Sequence, residues 1–149
     1  MSPFDPRSVL LAKHAQHVVL VHFPIALFLS GVFCDMLSHW GKSDSLKPAA
    51  RFNLRAAAFM AIPVLVTGLL AWQWQLGGRR PKGVLLMHLT LGSCSAALCW
   101  LVVWLRSREW KRPNSSLPAF HWILELGAVL VVALTGHLGG FLSGVNLPG

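Results

Sequence analysis

Three histidines of this 149-residue sequence stand inside long apolar runs: His22, His88 and His137. Because a polar side chain inside a bilayer is costly, it usually faces the interior of a bundle, pairs with another polar group or serves a function. Counting from the centre of each run at about 1.5 Å per residue places all three imidazoles roughly 9–10 Å from the midplane. They fall on the same side of it, so the sequence predicts a site where imidazoles from three helices face one point.

Imidazoles from two facing helices are the axial ligands that a b-type haem requires, together with an apolar wall and small residues beside the porphyrin. Gly92 lies one turn beyond His88 and offers such a small residue. Small residues suit plain helix packing equally well. The predicted cofactor-binding set is His22, His88, His137, His17 and Gly92, with His22 and His88 as the ligands of the haem iron.

Three alternatives to haem stay open for the same histidines. Copper or zinc could bind the imidazole nitrogens with Met87 nearby, although no compact ligand spacing supports such a site. Bacteriochlorophyll ligation would look the same in the sequence. In the third alternative no cofactor binds, and each histidine forms a hydrogen bond with a carbonyl or a water.

A second polar set is predicted at the opposite membrane face. Asp35 and His39 are four residues apart, as are His121 and Glu125, so each pair shares one helical face. A proton path or a quinone-headgroup site is one interpretation. The favoured interpretation is that the carboxylates form salt bridges to Arg51, Arg55 or Arg106, because both pairs lie near helix ends.

The remaining residue patterns exclude several function classes. Cys34, Cys94 and Cys99 form neither a C-x-x-C pair nor the C-x-x-C-H motif of covalent haem. Hydrolase, kinase and nucleotide-binding motifs are absent from the sequence. No independent catalytic activity is therefore indicated, and at most the chain serves as an electron-transfer subunit.

Four apolar stretches must position these residues. The chain is 54% hydrophobic and 12% charged, which is typical of an integral membrane protein. The stretches cover about 18–39, 55–76, 84–105 and 119–142, each near the roughly 20 residues that cross a bilayer. The predicted fold is an all-α, up-and-down bundle of four transmembrane helices forming one domain over residues 1–149.

Basic residues in the connections orient the predicted bundle. Five lie on the side of the two termini and eight lie on the side of the first and third connections. The positive-inside rule therefore predicts a multi-pass protein of the bacterial inner membrane with both termini in the periplasm. The basic connections suit anionic lipid headgroups and indicate no nucleic-acid partner. Residues 1–16 lack the pattern of a cleaved signal peptide, so the first helix is expected to remain as an anchor.

Four segments together resemble an uncharacterised bacterial family of four-helix membrane proteins, domain of unknown function 2231. They are "HVVLVHFPIAL", "LVTGLLAW", "GVLLMHLTLG" and "TGHLGGFLSGV". The resemblance runs from about His17 to Val145 and places His17 and His22 on the paired histidines of the family and His88 on the histidine that opens its third helix. It implies the fold and the order of the helices. Members often occur beside cytochromes and respiratory proteins, which favours a redox role.

Two functions are compatible with the sequence. One is a membrane redox protein, a b-type haem-binding electron-transfer subunit of a respiratory or photosynthetic complex. The other is a cofactor-free accessory subunit that packs against a larger membrane complex. Both predict lipids and other membrane subunits as partners, with a cytochrome among the candidates, and they differ in whether iron is bound.

Overall fold

Four long helices make up the protein, as shown by a computed structural model that describes residues 13–41, 44–75, 77–111 and 120–143. Helix α1 covers Lys13–Trp40, α2 covers Lys47–Gln75, α3 covers Gly83–Lys111 and α4 covers Phe120–Leu142. A short 3₁₀ turn, Asp44–Leu46, precedes α2. All four helices are long and apolar enough to span a membrane. The predicted all-α bundle of four transmembrane helices is confirmed.

Helices α1, α2 and α3 are longer than the apolar runs that predicted them. Helix α1 begins at Lys13, so His17 is helical although the predicted span began after it. Pro24 and Pro63 lie inside α1 and α2 and do not end them. Pro24 is therefore an internal residue of α1 and does not mark its start. A proline inside a helix leaves the carbonyl four residues earlier without its usual N–H donor, and membrane helices tolerate this where neighbouring groups or small backbone adjustments satisfy that carbonyl.

The connection between α2 and α3 is a tight turn. Gly77 and Gly78 both adopt positive φ angles, 61° and 60°, which glycine adopts without the steric cost of a Cβ. The Trp72 indole N–H donates to the carbonyl of Arg79 at 2.9 Å and ties the end of α2 to this turn. Since the connection is short, α2 and α3 are neighbours in the bundle.

The core is small and lies between the middles of the helices. Its buried members come from all four helices: Phe28, Val32, Leu54, Ala57, Ala58, Cys99, Val102, Ala128 and Val132. Gly31 lets α1 approach α2 closely, because a Cβ there would lie 2.9 Å from Leu54 Cγ. Many large apolar side chains point outward instead, as expected where the solvent is lipid, among them Phe33 and Ile123.

Two polar contacts join the helices in pairs. Asn53 of α2 donates to the Ser30 hydroxyl of α1 at 3.2 Å. The hydroxyls of Ser95 in α3 and Thr135 in α4 lie 3.0 Å apart. Hydrogen bonds of this kind contribute to helix association in membranes. The bundle therefore consists of two hairpins, α1 with α2 and α3 with α4, which meet where α2 packs against α3.

Candidate cofactor site between the helical hairpins

A cavity of about 530 Å³ opens between the two hairpins, at the end where α1 and α3 begin and α2 and α4 end. Every helix contributes to its wall, and most of the wall is apolar. Glycines form much of the remainder: Gly68, Gly92, Gly136, Gly139 and Gly140. Ligand pockets in proteins commonly have volumes of roughly 300–1,000 Å³ and mostly apolar walls with few polar groups. The polar groups here include two histidines on opposite hairpins, His17 and His88.

His17 and His88 face each other across this cavity. Their ring centroids lie 6.3 Å apart, with an angle of 83° between the ring planes. His17 stands near the start of α1 and His88 near the start of α3, so each hairpin supplies one imidazole. This separation matters because a metal bound to one nitrogen of each ring, at about 2.0 Å per bond, would put the ring centres roughly 6 Å apart.

Hydrogen bonds at Nδ1 fix the tautomer of both rings. His88 Nδ1 lies 3.1 Å from the carbonyl of Thr135. A carbonyl only accepts, so this Nδ1 carries the proton and Nε2 carries the lone pair. His17 Nδ1 lies 3.2 Å from the Thr67 hydroxyl, which donates its own proton to the carbonyls of Pro63 and Val64. With the hydroxyl proton on either carbonyl, His17 donates through Nδ1 as well, and in that tautomer both rings keep Nε2 in the form that binds a metal.

A glycine on the second helix of each hairpin makes room for the imidazole. A Cβ at Gly68 would lie 3.0 Å from His17 Cε1, and a Cβ at Gly139 would lie 3.2 Å from His88 Cε1. Both distances are shorter than ordinary van der Waals contact. Each hairpin thus uses the same arrangement, in which an imidazole from its first helix packs on a glycine and bonds to a threonine of its second helix.

The other predicted cofactor residues occupy different positions. His22 is exposed at the wall of the cavity, and its Nδ1 donates to the carbonyl of Val18 in its own helix at 2.7 Å. His137 is exposed and packs edge-on against Phe141, with ring centroids 4.9 Å apart, outside the cavity wall. Gly92 lines the cavity as expected. The structure brings together His17 and His88, whereas His22 lies at the wall of the same cavity bonded to its own helix and His137 lies outside that wall.

The two imidazoles by themselves fall short of the donor set of a closed metal site. Among the described residues, no third histidine, cysteine or carboxylate completes a ligand group with His17 and His88. A structural zinc site would need four such ligands, and a catalytic one three.

A buried ionic cluster occupies the opposite end of the bundle. Arg106 of α3 forms a salt bridge with Asp35 of α1 through Nη2 and Oδ1. Its Nε lies 3.5 Å from Oε1 of Glu125 in α4. All three residues are less than 8% exposed. The salt bridge between Asp35 and Arg106 favoured by the sequence is present, although it is buried inside the bundle instead of lying at its surface.

His121 joins this cluster, whereas His39 does not. Ligand atoms of Asp35, His121 and Glu125 all lie within 4.8 Å of one another. His39 is exposed and packs on Trp122, with ring centroids 5.1 Å apart. The arrangement joins three helices through one guanidinium, which neutralises one of the two carboxylate charges.

Sequence reasoning did not assign a role to Thr67 or Gly68 beside the imidazoles. One signal was available, because the dipeptide Thr-Gly occurs near the end of both second helices, at residues 67–68 and 135–136. In both hairpins that threonine bonds the histidine from the partner helix, through its hydroxyl in one and its carbonyl in the other.

Comparison with known proteins agrees with this architecture. No curated protein and no solved structure matches the chain. Residues 13–145 match the model of one family, described as "Predicted membrane protein (DUF2231)". That match covers all four helices and includes His17 and His88. The chain therefore belongs to the DUF2231 family of membrane proteins.

Proposed function

We propose that the protein is a membrane electron-transfer protein that holds a b-type haem between His17 and His88. The observation that carries the proposal is the facing of these two imidazoles, with centroids 6.3 Å apart, inside an apolar cavity. Their spacing accommodates one iron between two ring nitrogens. The proposed ligands thus differ from His22 and His88, the pair of ligands predicted from the sequence.

The cavity supports a large planar group over a bare ion. Its volume of about 530 Å³ far exceeds the space that a metal ion occupies. Glycines from α2, α3 and α4 leave its wall free of side chains where a flat macrocycle would lie. The apolar remainder of the wall suits the porphyrin face.

Residues beside the two imidazoles would influence how a bound haem is held. A bound b-type haem supplies one-electron transfer. The hydrogen bonds from Nδ1 to Thr67 and Thr135 fix the ring orientations and increase the basicity of Nε2. Because a cofactor near one membrane face passes electrons only to a neighbour, the protein would act as a subunit of a respiratory or photosynthetic complex, next to a cytochrome or a similar redox protein.

The test is a reduced-minus-oxidised visible spectrum of protein purified gently from its native membrane, with extraction of any pigment. We expect the α and Soret bands of low-spin haem b. His17→Ala and His88→Ala should each abolish them, while His22→Ala and His137→Ala should retain them. His39→Ala is the matched control, since His39 lies at the opposite end of the bundle.

A colourless preparation would overturn the haem proposal and favour the cofactor-free accessory subunit. Extraction of bacteriochlorophyll, or of copper without porphyrin, would overturn it in favour of those groups. Full haem content in His17→Ala or His88→Ala would overturn the ligand assignment. Circular dichroism of each variant separates loss of the ligand from loss of the fold.

We also propose that the protein lies in the inner membrane with both termini in the periplasm. The charge bias supports this: Arg79, Arg80 and Lys82 lie on the side of the cavity, with Arg7 and Lys13 predicted there too, whereas six described basic residues lie on the opposite side, with Lys42 and Arg112 predicted there. Arg7, Lys42 and Arg112 lie outside the described residues. Reporter fusions after Gly78 and after Lys111 test the orientation, and cytoplasmic activity of the first fusion would reverse it.

A further inference from the structure

A groove of about 450 Å³ lies on the outer surface of α2, at the end of the bundle opposite to the cavity. Pro48, Arg51, Phe52, Arg55, Ala56 and Phe59 line it. Phe52 and Phe59 are 69% and 61% exposed. The groove thus combines two cations with apolar rings on a surface that faces the membrane.

Neither arginine has an acidic partner in the part of the chain whose side chains the structure describes. Among the described residues, Asp44 pairs with Lys47, and Asp35 and Glu125 pair with Arg106. No described carboxylate forms a salt bridge with Arg51 or Arg55.

Both guanidinium groups are held near a single indole ring. Their Cζ atoms lie 5.9 and 4.6 Å from the ring centroid of Trp110 in α3. Arg51 Nε is buried and donates to no group in the described part of the chain. Two like charges held side by side on one ring attract an anion.

The length of α2 allows this pair to lie in the headgroup layer. Its 29 residues span about 44 Å at 1.5 Å per residue, which is longer than the roughly 30 Å of hydrocarbon. This excess lets the first turns of α2, which carry both arginines, extend toward the phosphates. Phe59 stands one turn deeper than Arg55, at the level where acyl chains begin.

We propose that this groove binds one anionic phospholipid, with its phosphate between Arg51 and Arg55 and an acyl chain along Phe52 and Phe59. A guanidinium group binds phosphate oxygens through two parallel hydrogen bonds, which fixes the geometry of the contact. Basic pockets at the ends of membrane helices also bind anionic headgroups. The proposal is independent of the haem.

The test is native mass spectrometry of the full-length protein from nanodiscs that contain equal amounts of phosphatidylglycerol and phosphatidylcholine. We expect the wild type to retain one phosphatidylglycerol in preference to phosphatidylcholine. The variant Arg51→Gln/Arg55→Gln should lose this preference, with a loss of about fivefold in retention for each arginine removed. Arg79→Gln/Arg80→Gln removes two exposed charges at the other end of the bundle and is the matched control, which should retain the lipid.

Equal loss of lipid in both double variants would overturn the proposal, since it would show attraction by net charge alone. Equal retention of the two lipids by the wild type would also overturn it, and this measurement needs no variant. Displacement of phosphatidylglycerol by millimolar inorganic phosphate would show a simple anion site without lipid specificity. If the glutamine pair does not fold, Arg51→Lys/Arg55→Lys keeps the charge, and retention there should fall only in part because lysine lacks the planar fork.

Discussion

Gly68 lies directly beneath the ring of His17, so close that a Cβ at this glycine would come within 3.0 Å of the imidazole Cε1. The glycine and the histidine belong to different helices of one hairpin. The position of the ring therefore depends on the absence of a side chain in the facing helix. Gly139 and His88 repeat this relationship in the second hairpin, at 3.2 Å.

Gly68→Val and Gly139→Val should each lower haem content several-fold, because a branched side chain pushes the imidazole out of its position. The measurement is the haem-to-protein ratio from the pyridine haemochrome spectrum. Gly127→Ala is the control for a glycine-to-larger change in a helix, since nothing lies within 4 Å of the added Cβ. A normal haem content in both valine variants would contradict the proposal that the imidazoles must pack against these glycines.

Thr67→Val should weaken haem binding without unfolding the bundle. The valine keeps the shape of threonine but cannot accept the hydrogen bond from His17 Nδ1. Loss of such a supporting hydrogen bond commonly lowers the affinity of a bound metal by about 10–100-fold. Haem loss to apomyoglobin measures the change. Thr90→Val is matched to it, because the exposed Thr90 hydroxyl bonds only the Leu86 carbonyl of its own helix among the described contacts, and unchanged kinetics are expected there.

Arg106→Gln should destabilise the bundle strongly. It removes the cation that Asp35 and Glu125 face in a buried site, and breaking a buried ion pair on one side costs about 3–5 kcal/mol. Thermal unfolding in detergent, followed by circular dichroism, measures the loss. Arg108→Gln is the control, because the exposed Arg108 stacks only on Trp104 in the described contacts, and its loss should cost about 1 kcal/mol or less.

A triple variant tests why Arg106→Gln destabilises the bundle. Adding Asp35→Asn and Glu125→Gln to Arg106→Gln removes the uncompensated charges, so part of the lost stability should return. If the triple variant were less stable than Arg106→Gln alone, charge compensation would not explain the role of Arg106.

Gly31→Ala should separate α1 from α2. The new methyl group would lie 2.9 Å from Leu54 Cγ and 3.0 Å from the Leu54 backbone nitrogen, and a backbone atom moves only with its helix. Overpacking of this kind costs about 1–3 kcal/mol. Comparison with Gly127→Ala in the same unfolding experiment isolates the packing effect from the change in helix propensity. Equal stability of the two variants would argue against close contact of these helices.

The sequence gives an expected depth for each histidine, whereas it does not give the direction in which the imidazole points. Depth depends on the rise along a helix, which is the same for every residue. Direction depends on how each helix is rotated about its axis, and contacts between helices decide this. His17 and His22 are five residues apart, or about 140° around the helix at 3.6 residues per turn, so their two imidazoles point in different directions.

The opposite end of the bundle shows the same division. The spacing of His121 and Glu125 predicted a shared face, and both lie in the buried cluster. Asp35 and His39 have the same spacing, yet Asp35 is buried with Arg106 and His39 stacks outside on Trp122. A spacing of four residues predicts a shared helical face. It does not predict which part of that face a neighbouring helix buries.

By itself, the sequence determined that the chain forms four membrane helices, because long apolar runs with few charges are stable only as helices in lipid. It also determined that polar groups occupy two levels of the bundle. The tertiary structure decided which of these groups meet: His17 with His88, and Arg106 with Asp35 and Glu125. Those pairings depend on close approach of the helices at glycines such as Gly31, Gly68 and Gly139. The sequence shows these glycines, but only the position of the facing helix shows which of them lie at a close contact.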